Sequence, residues 1–201
     1  MTVRERRERE REDRERRIID AAREIAEAEG WDAVTTRRLA ERIEYSQPVL
    51  YSHFKGKDAI MAAVAIDGFA ELAAELRAAR TEAGLAEVAT AYTRFAETRP
   101  VLYETMFTSA VDLTFASTET PAPLQAGFGE LREALRATNG DEDLDAQTEV
   151  FWASLHGLMT LMRGGRLRRE DHDRRLALLL QRFSGQARRG SFQPGRGKWQ
   201  V

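Results

Sequence analysis

Apolar side chains recur at steps of three and four along almost the whole chain, and no stretch alternates convincingly, so the residues read as amphipathic helices rather than strands. Only five prolines interrupt 201 residues, and the expected class is all-α. A first helix carries Ile18, Ala22 and Ile25 and stops at Gly30, which accepts a left-handed conformation at a helix end without a Cβ clash. Trp31 and Val34 are expected to cover that end. Two short helices follow, about Thr36 to Ile43 with Leu39, Ala40 and Ile43 inward, and about Gln47 to Phe54 with Leu50 and Phe54 inward. Helices this short do not persist alone in water, so they must pack on the first as a three-helix unit.

From Asp58 to about Arg80 a long connecting helix runs through Met61, Val64, Ala65, Phe69, Leu72 and Leu76. Further helices are expected around Leu85, Val88, Tyr92 and Phe95, over Val101 to Phe107 behind Pro100, and around Leu124, Phe128, Leu131 and Leu135. Thr108 to Pro123 holds Ser, Thr and two prolines and reads as a loop or poorly ordered stretch. Two strong helices close the chain, about Asp143 to Arg163 and about Glu170 to Phe183; Ser184 to Val201, rich in Gly, Arg and Gln, reads as disordered. The expected division is a charged extension over 1–17, a three-helix domain over 18–60, a larger helical domain over 61–185 and a tail over 186–201.

The chain has no cysteine, which removes disulfides, thiolate metal sites and cysteine nucleophiles together. A mean hydropathy of −0.51 and the lack of any long apolar run argue against a membrane span, and the charged start lacks the apolar segment of a signal peptide, so the cytoplasm is the expected compartment. The net charge of −2 conceals its geography. Between Thr35 and Lys57, five cations against two anions leave +3, whereas residues 18–34 carry −4. Any DNA-facing surface is therefore confined to particular faces. The first seventeen residues alternate eight arginines with six acids. Glu5–Arg9, Glu10–Arg14, Glu12–Arg16 and Asp13–Arg17 stand at helical spacing, each pair worth roughly 0.2–0.5 kcal/mol. This segment reads either as a solvated extension of the first helix or as an arm whose arginines reach phosphates or the minor groove.

Residues 35–57 carry the functional argument, because two short helices separated by three residues make a helix-turn-helix. Ser46 is placed to cap the second, and Pro48 sits in its first turn, so the serine hydroxyl is expected to accept from the N–H of Val49. With Leu50 and Phe54 inward, Gln47, Pro48, Val49, Tyr51 and His53 are expected to face outward. Such a face suits the major groove: Gln bonds both N6 and N7 of adenine, and Pro and Val pack on a thymine methyl. Tyr51, His53 and Lys57 suit phosphates, which set register rather than sequence. The competing reading has Tyr51 and His53 simply covering the next helix.

The same segment strongly resembles the DNA-binding domain of tetracycline-repressor (TetR) family regulators. It carries that family's pattern at Thr36, Leu39-Ala40, Ser46-Gln47, Leu50-Tyr51-Ser52-His53-Phe54 and Lys57, and the match covers roughly residues 15–65. The resemblance implies base contacts for Arg37, Gln47 and Pro48, and contacts to the DNA backbone or its edge for Thr36, Tyr51, His53 and Lys57. One position departs from it. The family usually has Gly in the turn, where this chain has Glu44. A non-glycine residue at positive φ costs on the order of 1 kcal/mol, so either that cost is carried or the turn is built differently.

For the later helices the resemblance implies a ligand-binding and dimerisation domain, in architecture only. Trp152 to Gly157 resembles the Trp-x-x-x-His-Gly sequence of a subgroup of these C-terminal domains. Trp152 and His156 share a helix face, and Gly157 would admit a close neighbour. The pair reads either as packed core with a hydrogen-bonded His or as a polar group in an effector pocket. Candidate pocket walls are Phe69, Tyr92, Phe95, Tyr103, Met106, Phe107, Phe128, Trp152, His156 and Met159, suited to a mainly apolar small molecule. Leu155, Leu158, Met162, Leu176, Leu179, Leu180 and Phe183 on the last two helices are candidates for a two-fold four-helix interface. A homodimer of this kind reads a near-palindromic operator whose half-sites lie about 34–36 Å, or a multiple, apart. No cofactor and no metal is expected.

The opposing class, a small helical enzyme, finds little support: G-x-S-x-G, H-E-x-x-H, P-loop and dinucleotide patterns are all missing. Asp171-His172-Asp173 reads as a helix start rather than a metal site. A nonspecific DNA-compacting protein would need a broad basic surface that the charge balance denies.

Overall fold

The computed structural model describes residues 2–107, 113, 117 and 119–184. These residues form helices joined by short turns, and among them no strand occurs. They divide into two compact units, 1–131 and 132–201. Most of the expected 108–123 connection and of the expected tail lies outside the described residues.

In the first unit α1 spans Val3–Glu29, so the charged extension and the first core helix are one continuous element. Thr2 starts it with a reciprocal cap: its Oγ1 accepts from the N–H of Glu5, and its own N–H donates to the Glu5 carboxylate. Residues 2–14 are all exposed, and the buried line begins at Ile18 and continues through Ala21, Ala22, Ile25 and Ala26. The ion pairs on the extension differ from those expected by spacing. Arg6 meets Glu10 at 3.7 Å and Arg11 meets Glu15 at 2.9 Å, while Glu5 serves the cap and Arg16 leaves its own helix for Asp67.

Gly30, at φ +83°, ends α1 with its N–H on the Ala26 carbonyl, and a 3₁₀ turn over Trp31–Ala33 follows. The short helices are α2, Thr36–Arg42, and α3, Gln47–His53; Leu39, Ala40 and Leu50 are buried. Full burial of a leucine such as Leu50 contributes roughly 1.5–3 kcal/mol, which offsets the poor intrinsic stability of a seven-residue helix.

The long helix α4, Lys57–Ala83, packs against α5, Leu85–Thr98, and α6, Pro100–Phe107. Gly68 permits the approach of α6, since a Cβ there would lie 2.9 Å from Leu102 Cδ1 and Met106 Sδ. The helix α7, Ala122–Asn139, starts inside the stretch expected to be a loop. Burial pushes its Glu130 carboxyl up, but hydrogen bonds from Arg77 and Arg80 outweigh this and leave it below the usual carboxylate range.

The second unit contains α8, Leu144–Arg163, and α9, His172–Ser184, after a 3₁₀ turn over Arg169–Asp171. Leu144, Thr148, Phe151, Leu155, Met159 and Met162 form the buried line of α8, and the Phe151 ring meets Phe183 of α9 edge-on at 5.0 Å. Of the residues expected at the interface, Leu155, Met162 and Leu176 are buried within the chain and Leu158, Leu179, Leu180 and Phe183 are half-buried, whereas Val150, Leu161 and Leu178 are 58%, 41% and 52% exposed. Beyond Gly157 a Cβ would find nothing within 4 Å.

Candidate nucleic-acid interface

The turn between α2 and α3 sets the angle at which α3 is presented, and its chemistry is explicit. Ile43 closes α2 with its N–H on Leu39, Glu44 enters the left-handed region at φ +58°, and the Tyr45 N–H returns to the Ala40 carbonyl at 2.9 Å. This is the six-to-one bond of a Schellman closure, a position where glycine is usual. The turn is thus built in the glycine manner and carries the strain of a side chain. At the start of α3 the Val49 N–H donates to the Ser46 carbonyl oxygen at 3.0 Å and not to its hydroxyl, so the expected serine side-chain cap is replaced by a backbone turn.

Gln47, Pro48 and Tyr51 are exposed, Tyr51 by 54%, and Val49 is half-buried at their edge. They leave an amide, a ring and a phenol on one open surface. His53 does not join them. It stands three residues after Leu50 and therefore shares the inner face; its side chain is only 7% exposed and Nδ1 lies 3.2 Å from Glu15 Oε1. A hydrogen bond from Arg11, against burial and helped by His53, holds the Glu15 carboxyl below its ordinary range. His53 therefore turns inward, toward Glu15 of α1, and not to the open surface. Phe54 lies just past the helix end, half-buried.

The cations divide by partner. Arg37 is 81% exposed beside Glu41 on its own helix, while Arg38 and Arg42 reach back to Glu29 and Glu24 of α1. Thr35 caps α2 by accepting from the Arg38 N–H, and Thr36, its first residue, is half-buried. Lys57 departs from the expected phosphate role in orientation, because its ammonium donates to the Trp31 carbonyl. Lys55, one of the five cations of residues 35–57, is exposed. Only the turn separating it from α3 marks it in the sequence.

The candidate effector residues fall into two groups. In the first unit Phe69, Phe107, Tyr103 and Tyr92 form a chain of ring contacts at 5.3, 4.9 and 6.0 Å, and the two tyrosine hydroxyls share a hydrogen bond of 2.9 Å. Met106 and Phe95 are buried, and Phe128 is half-buried. In the second unit Trp152 and His156 face one another at 6.5 Å, with Met159 buried. Burial lowers the His156 pKa, and its Nε2 lies 3.3 Å from the Thr160 hydroxyl. Sequence reasoning missed the link between the three-helix unit and α6, where Trp31 Nε1 donates to Thr105 Oγ1 at 2.6 Å. It also missed Arg16 and Arg23 on α1, which pair with Asp67 and Glu71 on α4. These partners lie about fifty residues apart, beyond the reach of any local pattern.

Among the described residues no helix is long and apolar enough to cross a membrane, and no cluster of metal-ligating side chains occurs. Residues 18–64 match a family of bacterial regulatory proteins, the tetR family, and residues 85–183 match a tetracyclin repressor-like C-terminal domain. An uncharacterized HTH-type transcriptional regulator of Bacillus subtilis, YobS, is 28% identical over 77% of this chain and 81% of its own length. The class D tetracycline repressor of Escherichia coli is 44% identical over 50 residues, covering 25% of this chain and 23% of that protein. A Rhodococcus sp. RHA1 protein of unknown function superposes with a TM-score of 0.66 at 27% identity, covering 85% of this chain and 93% of that one.

Proposed function

The chain belongs to the tetracycline-repressor family of DNA-binding transcriptional regulators, and on that footing we propose that it acts as a homodimeric repressor released from a near-palindromic operator by a small, mainly apolar effector. The family is a non-enzymatic one. The observation that carries the reading is the open face of α3, where Gln47, Pro48 and Tyr51 are exposed to solvent. Gln47 reads an adenine edge, Pro48 and Val49 meet a thymine methyl, and Tyr51 with exposed Lys55 meets phosphates. Arg37 makes its base contact by exchanging the exposed Glu41 carboxylate for a base acceptor, a small loss because solvent-exposed pairs are worth at most about 1 kcal/mol. Thr36 lies at the backbone edge; His53 and Lys57 act by fixing α3 and the start of α4.

Dimerisation uses the outer face of α8 and α9. Val150, Gly157 and Leu161 fall at helical spacing on the side of α8 opposite its buried line, and Leu178 takes the matching position on α9. Two such faces related by a two-fold axis make a four-helix interface with Gly157 at a close crossing. The effector engages the aromatic chain at the end of α6, where the tyrosine hydroxyls supply a polar anchor; Trp152 and His156 form the other candidate contact group. Because α6 carries both Phe107 and the Thr105 that accepts from Trp31, an effector that displaces α6 also displaces the turn seated against the DNA-binding helices. Linkage then requires operator DNA to weaken effector binding by the same factor.

Selection from a random duplex pool with the purified protein tests this reading. A two-fold repeat with half-site centres about 34 Å apart, or a multiple, is the expected product. Enrichment of a single unrepeated element, or of none, refutes the dimeric readout.

A further inference from the structure

The extension of α1 has a net charge of only +2, but the helix sorts its charges by direction. Arg4, Arg7, Arg11 and Arg14 follow one another at steps of three, four and three. At 100° per residue they stay within about 40° of the line that continues through Ile18. No acid of the extension falls inside that sector; Glu15 stands at its border, and Glu5, Glu8, Glu10, Glu12 and Asp13 are turned further away. The line is the one that carries Ile18, Ala22 and Ile25 into the core. Carried beyond the folded domain, the inward face of α1 is therefore made of arginine alone.

The direction of this face follows from α3. Its C-terminal residue His53 rests against Glu15 of α1, while Gln47, Pro48 and Tyr51 point to solvent. α3 thus meets α1 at Glu15, on the border of the arginine line, with its exposed residues turned to solvent. Past Glu15 there is no α3 to cover that face, and residues 2–14 are exposed throughout. Arg4, Arg7 and Arg14 have no hydrogen-bond or ion-pair partner among the described residues, whereas Arg6 and Arg16, off the line, are held by Glu10 and Asp67. The cap at Thr2 keeps the segment helical to its first turn.

From this placement we infer that Arg4, Arg7 and Arg14 form a second DNA contact, binding the phosphates of the duplex that flanks each half-site, while Arg11 on the same line holds Glu15. The eleven residues from Arg4 to Arg14 span about 16 Å of helix, enough to follow roughly four or five base pairs beyond the recognition helix. The row holds guanidinium groups without an aromatic or apolar wedge, so it supplies affinity and no base preference. The inference rests on the operator-binding reading above.

The test compares full-length R4Q/R7Q/R14Q with R6Q/R9Q/R17Q, which removes the same charge from the other faces. Arg11 is left in place because it holds Glu15 under His53. Glutamine keeps helix propensity, and circular dichroism checks that both variants keep the wild-type helix content. Binding is measured against the selected operator with ten flanking base pairs on each side, and against the same operator trimmed to its half-sites. Each phosphate contact contributes about 0.9 to the slope of log affinity against log salt, so losing three per protomer flattens the dimer's slope by about 5. Between 50 and 200 mM salt, wild-type affinity then falls about a thousandfold further than that of R4Q/R7Q/R14Q on the flanked duplex. On the trimmed duplex the two proteins are expected to share one slope, with base preference unchanged, and R6Q/R9Q/R17Q is expected to lose less than half as much. Equal loss in both triple variants, or the same loss on flanked and trimmed DNA, overturns the inference. Failure of wild type and both variants alike to bind any selected duplex overturns instead the operator-binding reading beneath it.

Discussion

Replacing Glu44 by glycine should make the protein more stable, although it removes a side chain and adds no contact. The residue sits at φ +58° in the closure between α2 and α3, with the Tyr45 N–H already bonded to the Ala40 carbonyl, so the backbone needs no rearrangement to accept glycine. Relief of the left-handed penalty contributes about 1–2 kcal/mol, and the greater freedom of glycine in the unfolded chain returns about 0.5–1 kcal/mol of it. The net gain is about 0.5–1 kcal/mol. For a chain of this size that raises Tm by about 1–4 °C and moves the urea midpoint upward at constant m. Glu44→Ala separates backbone from side chain, since it deletes the exposed carboxylate but keeps the Cβ. It should leave Tm within about 1 °C. Operator affinity should be unchanged in both, because the turn geometry is the same. A destabilised Glu44→Gly, or a gain shared equally by Glu44→Ala, would show that strain at this φ is not what the side chain costs.

Leu161→Glu should yield a folded monomer by analytical ultracentrifugation with operator affinity reduced more than tenfold, while Leu155→Glu should fail to fold, because only the first of these leucines is exposed in the protomer. Gln47→Ala should relax selection at one base position per half-site, whereas Lys55→Ala should weaken all sequences alike and lower the salt slope by about 0.9 per protomer. Trp31→Phe keeps the ring but loses the bond to Thr105, a net contribution of about 0.5–1.5 kcal/mol, and should shrink the effector-induced drop in operator affinity more than it changes affinity without effector. His156 has a pKa lowered by burial, so the unfolded chain takes up its proton first and stability falls as pH drops through about 6.5. In His156→Gln the loss between pH 7.5 and 5.5 should be smaller than in wild type, with the losses below pH 4.5, where Glu15 and Glu130 take up protons, retained.

Spacing made the helices legible because each one buries a single line of residues, and even α2 and α3 can be placed by Leu39, Ala40 and Leu50. It failed where two destinations want the same residue type. Leu155 and Leu161 look alike in sequence, yet one fills the core of the chain and the other is left exposed. His53 was misplaced by weighing the four-residue step from Leu50 to Phe54 over the three-residue step to itself, and the helix ends before Phe54. At Ser46 the hydroxyl and the carbonyl compete for one N–H, and residue identity does not decide between acceptors of the same residue. The ion pairs of the extension resisted prediction because Glu5 and Arg16 have better partners, the cap and Asp67, and one of these is distant in sequence.

The acidic stretch over residues 18–34 seemed to oppose a DNA-binding role, and its partners explain why it does not. Glu24 and Glu29 are engaged by Arg42 and Arg38, and Glu27 by Arg23, whose guanidinium is also bound by Glu71 of α4 and held more firmly protonated by it. Their negative charge is thus spent on orienting α2 and tying α1 to the long helix, at distances where pairing outweighs any field at the duplex. Exposed cations without a partner on another helix are Lys55, Arg37, whose pair with Glu41 lies on its own helix, and Arg4, Arg7 and Arg14 of the extension, and these are the ones proposed to meet DNA. A chain with a net charge of −2 can therefore present a positive face, because several of its acids, Glu24, Glu27 and Glu29 among them, are paired with arginines.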